Sequence, residues 1–247
     1  MLEPLEELLF QILQTLYGWT NDYGWAIILL TVIIRLLLMP LTWKQTKSMY
    51  ELQRIQPKIK ELQEKYKNDK AKLQEETLKF YQENKVNPFG GCLPLLLQMP
   101  IFFALFRMLG TTGSEPGLFP QEIARIAAEE GAEAAAAAKA FMIWVWTILP
   151  DITMSAKAMY TASGLSAAIP YIIFVVLFGL SIVVPQLMQP GGQAQQKQMG
   201  IAMGAMMLFF GWSVSAGVVL YWVTSAALGV LQQVLQTRAY KAREESA

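Results

Sequence analysis

The sequence predicts an all-α polytopic membrane protein with five transmembrane helices, an N-terminal amphipathic interfacial helix and a cytoplasmic helical hairpin. Hydrophobic residues make up 54% of the 247 residues and charged residues only 16%, whereas a soluble domain carries about 25% charged residues. The charges are also concentrated, because eleven of the twenty Lys and Arg lie between positions 44 and 85. The remaining chain contains apolar stretches close to the roughly 20 residues that cross the hydrocarbon core of a bilayer.

The first element, residues 1–23, is predicted to be an amphipathic helix. It carries three glutamates near its start, where a secretory signal would carry positive charges. Its apolar residues recur at helical spacing: Leu5, Leu8, Leu9, Ile12, Leu13 and Leu16. Such a helix lies along the membrane surface, although a helix packed against the bundle would show the same pattern.

The predicted spans lie in four apolar regions. The first three regions hold one span each, at 24–43, 88–110 and 167–189. The last region, 199–235, has 37 residues and as one helix would extend about 55 Å, against a hydrocarbon core of roughly 30 Å. Small and polar residues at 211–217 favour a tight turn, so two short helices are predicted at 199–213 and 214–236. One long tilted helix is the alternative.

The first predicted soluble segment is the hairpin at 44–87, which is rich in Lys, Glu, Gln and Leu. Pro57 is expected to kink or restart its first helix, because proline lacks the backbone N–H that a helix interior needs. The pair Asn68 and Asp69 predicts the turn between its two helices. The hairpin has two alternative predicted roles: a mobile platform that binds partners, or a support that stabilises the fold.

The other soluble segments are a loop at 111–166, a short loop at 190–198 and a tail at 237–247. The first of these contains an alanine-rich run at 134–138 and a short apolar piece at 141–149. That piece is too short to cross the membrane and is expected to rest at its interface.

Charge asymmetry predicts the orientation. The hairpin segment 44–85 has eleven basic and seven acidic residues, whereas 1–23 has four acids and no base, and 111–166 has three bases and six acids. Because basic loops stay in the cytoplasm, the hairpin, the 190–198 loop and the tail are predicted to be cytoplasmic. The N-terminus and the 111–166 loop are predicted to be outside.

The composition argues against most enzymatic chemistry. The chain has no histidine and one cysteine, Cys92, so it lacks the base of Ser-His-Asp and Cys-His sites and the usual ligands of zinc. Neither GxxxxGK[ST] nor GxGxxG precedes a helix, so no nucleotide site is indicated. The sequence therefore predicts no catalytic residues, no metal and no cofactor.

Arg35 is the most informative residue, because it interrupts the first apolar span. A charge near the middle of a span costs about 2.5–3.5 kcal/mol on insertion scales. No acidic residue lies in 92–109, 168–188 or 199–235, so a salt bridge inside the membrane is not expected. Arg35 is predicted to face a hydrated cavity open to the cytoplasm; snorkelling toward the headgroups is the alternative.

Two polar residues are candidates for the same cavity. Thr31 lies one turn before Arg35 on the same helix face, and Gln98 lies in the second span. From chemistry alone, Gln98 would more often make an interhelical hydrogen bond. Gly200 and Gly204 form a GxxxG pair, which indicates close helix packing.

Three segments resemble the YidC/Oxa/Alb family of membrane protein insertases. They are KVNPFGGCLPLLLQMPIFFALFRML at 85–109, TVIIRLLLMPLTWKQTKSMYELQRIQPKIKELQEKY at 31–66 and SAGVVLYWVTS at 215–225. The resemblance covers most of 20–110 and 168–240 in the family's order. It does not extend to the alanine-rich part of 111–165.

The resemblance implies an insertase and chaperone of the bacterial cell membrane with a positively charged groove open to the cytoplasm and the lipid. By matching positions, Arg35, Thr31, Gln98 and Trp222 would line the groove. The implied partners are nascent membrane proteins with acidic extracytoplasmic tails, and membrane lipid. The Sec translocon, the signal recognition particle pathway and the ribosome are further implied partners, without direct readout of nucleic acid. Strong ribosome binding is not expected from so short a basic tail.

Two other function classes share some of these features. A small-anion channel or transporter would also use a buried arginine, but transporters typically contain internal repeats, and none is apparent. A membrane enzyme such as an intramembrane protease is the other class; the missing histidine argues against it, although a Ser-Lys site would need none.

Overall fold

The apolar stretches and the charged hairpin segment form helices in the computed structural model, which describes residues 2–84, 93–112, 115–143, 146–188 and 194–245. The helices are α1 (Glu3–Thr20), α2 (Tyr23–Lys65), α3 (Lys70–Glu83), α4 (Leu93–Leu109), α5 (Leu118–Glu129), α6 (Ala132–Lys139), α7 (Ala156–Met188), α8 (Ala194–Gly211) and α9 (Ala216–Glu245). Strands β1 (Thr111–Thr112) and β2 (Glu115–Pro116) pair antiparallel, as do β3 (Phe141–Ile143) and β4 (Trp146–Leu149). The protein is therefore mostly helical.

The N-terminal helix α1 packs against the bundle. Leu9, Leu13 and Leu16 on one face are buried in the hydrophobic core, and α1 contacts α2, α4 and α5. The other face is open, with Leu8 53% and Trp19 77% exposed. Of the two interpretations of this helix, the contacts favour packing on the bundle; its position at a membrane surface stays a prediction.

Helix α2 is longer than the predicted first span, because it continues from Tyr23 to Lys65 with Pro40 and Pro57 inside it. The helix therefore does not restart at Pro57, and the alternative expectation of a kink there stays a prediction. A proline removes one backbone hydrogen bond, and the bonds of the neighbouring turns keep this long helix continuous. The predicted boundary between residues 43 and 44 therefore falls within one helix, and the hairpin is the far half of α2 with α3 folded back on it.

The predicted loop 111–166 contains regular structure. Helices α5 and α6 occupy its middle, and α6 includes the alanine-rich run. Arg125 forms salt bridges with Glu122 and Glu129, and its hydrogen bond lowers the pKa of the Glu122 carboxyl.

The apolar piece 141–149 was expected to rest at the membrane interface, and in the structure its described residues form the β3–β4 hairpin. Phe141 and Leu149, which pair in register, are buried in the core at 3% and 0% exposure. Pairing satisfies backbone groups that an apolar segment cannot leave unbonded. The segment therefore belongs to the packed protein.

The β3–β4 hairpin and the turn that follows it form hydrogen bonds with α2 and α9 at one end of the bundle. Asp22 caps α2 by accepting from the Trp25 N–H (3.1 Å) and also accepts from the Met142 N–H (2.9 Å). The Trp25 indole donates to the Met142 carbonyl at 2.8 Å. The backbone of Gly217 at the start of α9 donates to the Ile152 carbonyl at 2.8 Å. Several elements are thus tied together at the Tyr23 end of α2.

Helices α7, α8 and α9 contain the last apolar regions. Gly164, with φ +81°, interrupts α7, so its first residues form a separate turn of helix before the apolar part. Helix α8 ends at Gly211 and α9 begins at Ala216, so the region 199–235 is two helices. Gly204 of α8 lies against Val183 and Gly179 of α7, which is the close packing that a small residue permits.

Within the described residues, three helical segments are long and apolar enough to cross a membrane: Tyr23–Ser48, Ala156–Pro185 and Ala216–Ala239. Two shorter apolar helices are Gln98–Leu109 and Gln198–Gly211. The five-span count needs these two short helices to span as well, so it stays a prediction.

Labelling of single cysteines would test the predicted topology. In a Cys92→Ser background, Lys72→Cys in α3 and Glu130→Cys after α5 are both at exposed positions. The charge distribution predicts that a membrane-impermeant maleimide outside intact cells labels position 130 and leaves position 72 unlabelled. Permeabilised cells, in which both should react, are the control. Labelling of both positions from the same side would contradict the five-span topology.

Candidate functional site

A row of polar side chains crosses the interior of the bundle and connects α2, α4 and α9. Arg35 of α2 is half-buried, and its Nε donates to the Ser225 hydroxyl of α9 at 3.0 Å. No salt bridge joins Arg35 to a carboxylate among the residues that the structure describes. Its charge is therefore held by a neutral hydroxyl group.

The guanidinium of Arg35 also lies against the backbone of α9 at Gly229. A Cβ at position 229 would be 3.1 Å from both Nη1 and Nη2 and 3.3 Å from Cζ. Such distances are tighter than ordinary van der Waals contact. Glycine at this position therefore gives the guanidinium its place beside α9.

Tyr221 extends the polar row toward α4. Its side chain is 1% exposed, its hydroxyl accepts a short hydrogen bond from the Gln98 amide, and it also interacts with the Ser225 hydroxyl one turn away. Gln98 thus makes the interhelical hydrogen bond that its chemistry favours. Through Tyr221 and Ser225, it belongs to the same row of polar groups as Arg35.

Thr31 lies on the same helix as Arg35, yet its hydroxyl is not open. The residue is 0% exposed, and its Oγ1 donates to the Ile27 carbonyl at 2.7 Å, a common way for a membrane helix to satisfy a hydroxyl. A molecule from outside the bundle could contact Thr31 only after neighbouring side chains move.

Trp222 lies on a different face of α9 from the polar row. Its ring makes edge contacts with Phe102 of α4 at 5.2 Å and with Phe178 of α7 at 5.4 Å between centroids. Edge-to-face pairs of this kind are favourable. Hydrogen bonds thus join Arg35 to Ser225 and Gln98 to Tyr221, and Trp222 lies among aromatic side chains beside them.

Arg35 also borders a groove of about 320 Å³ between α2 and α9, which we call the α2–α9 groove. Most of its lining is apolar, and Arg35, Gln232 and Gln236 are its polar members besides the indole of Trp43. Gln232 donates to the Thr42 hydroxyl at 2.5 Å and ties the two helices together. A hydrated cavity was expected beside Arg35; this groove has a mainly apolar wall.

Sequence reasoning did not single out Tyr221, Ser225 and Gly229. They follow one another at four-residue spacing on α9, which places them on one helix face. The spacing of a hydroxyl, a second hydroxyl and a glycine could have indicated a polar contact surface. Only the packing of α9 on α2 shows that Arg35 occupies it.

Comparison with known proteins identifies related sequences and a related structure. A model of the family described as 60Kd inner membrane protein matches residues 15–244. The membrane protein insertase YidC of Geobacter sulfurreducens is 33% identical over 238 residues, covering 96% of this chain and 38% of that protein. The insertase YidC of Fusobacterium nucleatum is 33% identical over 230 residues, covering 93% of each chain.

A solved structure is similar as well. It is described as an active YidC insertase crystal structure with the first transmembrane domain resolved, and it matches with a TM-score of 0.59 and 27% identity. The match covers 93% of this chain and 44% of that chain. The chain thus spans well under half of the Geobacter relative and of the solved chain, and nearly all of the Fusobacterium relative.

Proposed function

We propose that this chain, which belongs to the 60Kd inner membrane protein family together with the YidC insertases, inserts nascent proteins into the bacterial inner membrane and assists their folding. It is a multi-pass membrane protein, and its relatives carry the name of insertase. The finer mechanism proposed here uses Arg35 as a fixed positive charge for acidic segments of clients. No chemical step and no nucleotide are required for it.

The observation that carries this mechanism is that Arg35, in an apolar bundle, forms no salt bridge with any residue that the structure describes. The guanidinium is the basic side chain that proteins deprotonate least readily, so Arg35 carries a positive charge, and its hydrogen bond to Ser225 leaves that charge uncompensated. At an effective dielectric of about 20, a carboxylate about 10 Å away would be attracted by about 1.7 kcal/mol. This attraction offsets part of the cost of moving a client's carboxylate out of water.

The asymmetry of the bundle supports a direction for insertion. At the Tyr23 end, β3 and the 150–155 turn bond to α2 and α9, and the Tyr171 hydroxyl donates to the Asp151 carbonyl at 2.8 Å. These contacts favour a closed outer end. At the other end, the long α2 and α3 project from the bundle, which favours entry of clients from the cytoplasm.

The hairpin of α2 and α3 is proposed to meet clients and partner complexes first. It carries mixed charge, and the described part of α3 packs mainly on α2 and not on the bundle. The Sec translocon, the signal recognition particle pathway and the ribosome are partners that this position would suit. Trp222 and the aromatic rings around it would then offer an apolar surface to the client segment as it moves into lipid.

Reconstitution tests the proposed function directly. Proteoliposomes containing only this protein should insert a single-span client with an acidic tail, so that protease added outside leaves the translocated tail intact. Vesicles without protein, and vesicles with an unrelated polytopic protein, are the controls. Equal protection in the control vesicles would refute the proposal. Anion flux without insertion would favour the channel alternative.

A further inference from the structure

Gln236 is the most unusual polar residue that the mechanism does not use. It lines the α2–α9 groove and is 3% exposed, and neither its side-chain oxygen nor its nitrogen has a hydrogen-bond partner in the described part of the chain. Buried amides are nearly always bonded. An unbonded amide beside a groove is a group to which a bound ligand could supply the missing partner.

The groove is too small to enclose a client helix. A helix with side chains is about 10–12 Å wide and rises 1.5 Å per residue, so each residue occupies about 120–170 Å³. The groove volume of about 320 Å³ would hold only two or three residues of such a helix. An unbranched acyl chain is far narrower, and the leucine and methionine side chains of the wall match it chemically.

The Gln236 end of the groove has the features of a membrane–water interface. Trp43 and Ala239 line this end, and tryptophan is enriched at the headgroup level of membranes. The next residue along α2 is Lys44 and the one before Ala239 on α9 is Arg238; both are exposed. Neither forms a salt bridge within the described ranges. Two exposed cations that are not themselves lining residues therefore stand next in sequence to residues that line this end of the groove.

We infer that the α2–α9 groove is a binding site for an anionic phospholipid. One acyl chain occupies the apolar groove, the Gln236 amide bonds the ester or phosphate oxygens, and Lys44 and Arg238 pair with the negative headgroup. Basic pockets between membrane helices bind anionic headgroups in this manner. Arg35 borders this groove as well, but the inference of lipid binding does not rest on the proposed insertase function.

Fluorescence quenching by brominated lipids in vesicles would test the site on the full chain. Trp43 and Trp25 are both 39% exposed and lie toward opposite ends of the first span, so Trp25 is a matched control. The fluorescence of each of these two tryptophans is obtained by subtracting the fluorescence of its Trp→Phe variant from that of the wild type. Brominated phosphatidylglycerol should quench Trp43 at a several-fold lower mole fraction than brominated phosphatidylcholine does. Trp25 should show no such preference.

Two sets of variants assign the preference to the site. In the double variant Lys44→Gln with Arg238→Gln, brominated phosphatidylglycerol and brominated phosphatidylcholine should quench Trp43 at nearly the same mole fraction. Gln236→Leu should weaken quenching by phosphatidylglycerol, and it is expected to fold because it removes an unbonded buried amide. Equal quenching by both lipids in the wild type would overturn the inference, as would a preference that these variants leave unchanged. Relief of quenching by an added client segment would assign the groove to clients and overturn it too. Since no insertion is measured, failure here would leave the insertase proposal standing.

Discussion

Arg35→Ala should reduce insertion of a client with an acidic translocated tail by about tenfold or more in proteoliposomes. The attraction of about 1.7 kcal/mol at about 10 Å corresponds to slightly more than a factor of ten. Insertion of a client whose tail lacks carboxylates should fall much less, because that tail carries no charge to compensate. The measurement is the protease-protected fraction of two clients that differ only in the tail carboxylate.

Conservative variants separate the charge of Arg35 from its hydrogen bonds. Arg35→Lys keeps a positive charge without the planar fork of the guanidinium, so it should retain most activity toward the acidic client. Arg35→Gln keeps a donor without the charge and should behave as Arg35→Ala does. Ser225→Ala removes the partner of Arg35 Nε and leaves the charge, so it should retain most activity.

The difference in insertion loss between the two clients decides whether Arg35 acts by attracting carboxylates. Equal loss for both clients in Arg35→Ala would mean that Arg35 serves the fold or the hydration of its surroundings. Loss in Arg35→Lys as severe as in Arg35→Gln would mean that hydrogen-bond geometry matters more than charge. Either result would contradict the attraction mechanism without affecting the family assignment.

Gly204→Ala should destabilise the protein by about 1–3 kcal/mol, the usual cost of an extra group in a packed interior. A Cβ at this position would overlap with Val183 Cγ2 and lie 3.3 Å from the Gly179 carbonyl oxygen. Because valine has one strongly preferred rotamer in a helix, α7 and α8 would have to move apart. Equilibrium unfolding in mixed detergent micelles would measure the change.

Gly18→Ala is the matched control for this substitution. Gly18 is also helical, and a Cβ there would meet no atom within 4 Å. Alanine at that position should stabilise the protein by roughly 0.5–1 kcal/mol through helix propensity. If the two variants unfolded alike, the close packing of α7 on α8 at Gly204 would be refuted.

The central helices could be predicted from the sequence because their signals are local. Apolar length and small residues near 211–217 predict the separate helices α8 and α9, and the GxxxG pair predicts close packing at Gly204. Pro57 shows the limit of such signals. A proline favours a break, but whether a helix continues through it depends on the turns around it and on what packs there.

The site was predictable only in part. Arg35 stands out from composition alone, and Gln98 from its place in an apolar span. Tyr221 and Ser225 do not stand out, because hydroxyl-bearing residues are common in membrane helices. The resemblance implies that Trp222 lines the groove, which stays a prediction; in the structure its ring packs against Phe102 and Phe178.

The sequence by itself determined the membrane class, the main apolar helices and an arginine without a carboxylate partner in the predicted spans. These follow from composition and periodicity, which each segment carries independently of the others. Only the tertiary structure decided that Arg35 meets Ser225, 190 residues away, that Gln98 bonds to Tyr221, and that Phe141 and Leu149 pair and are buried in the core. Contacts between distant segments depend on how whole helices pack, and many partners of equal chemistry compete for each position. The packing of the helices therefore determines which of these partners each residue contacts.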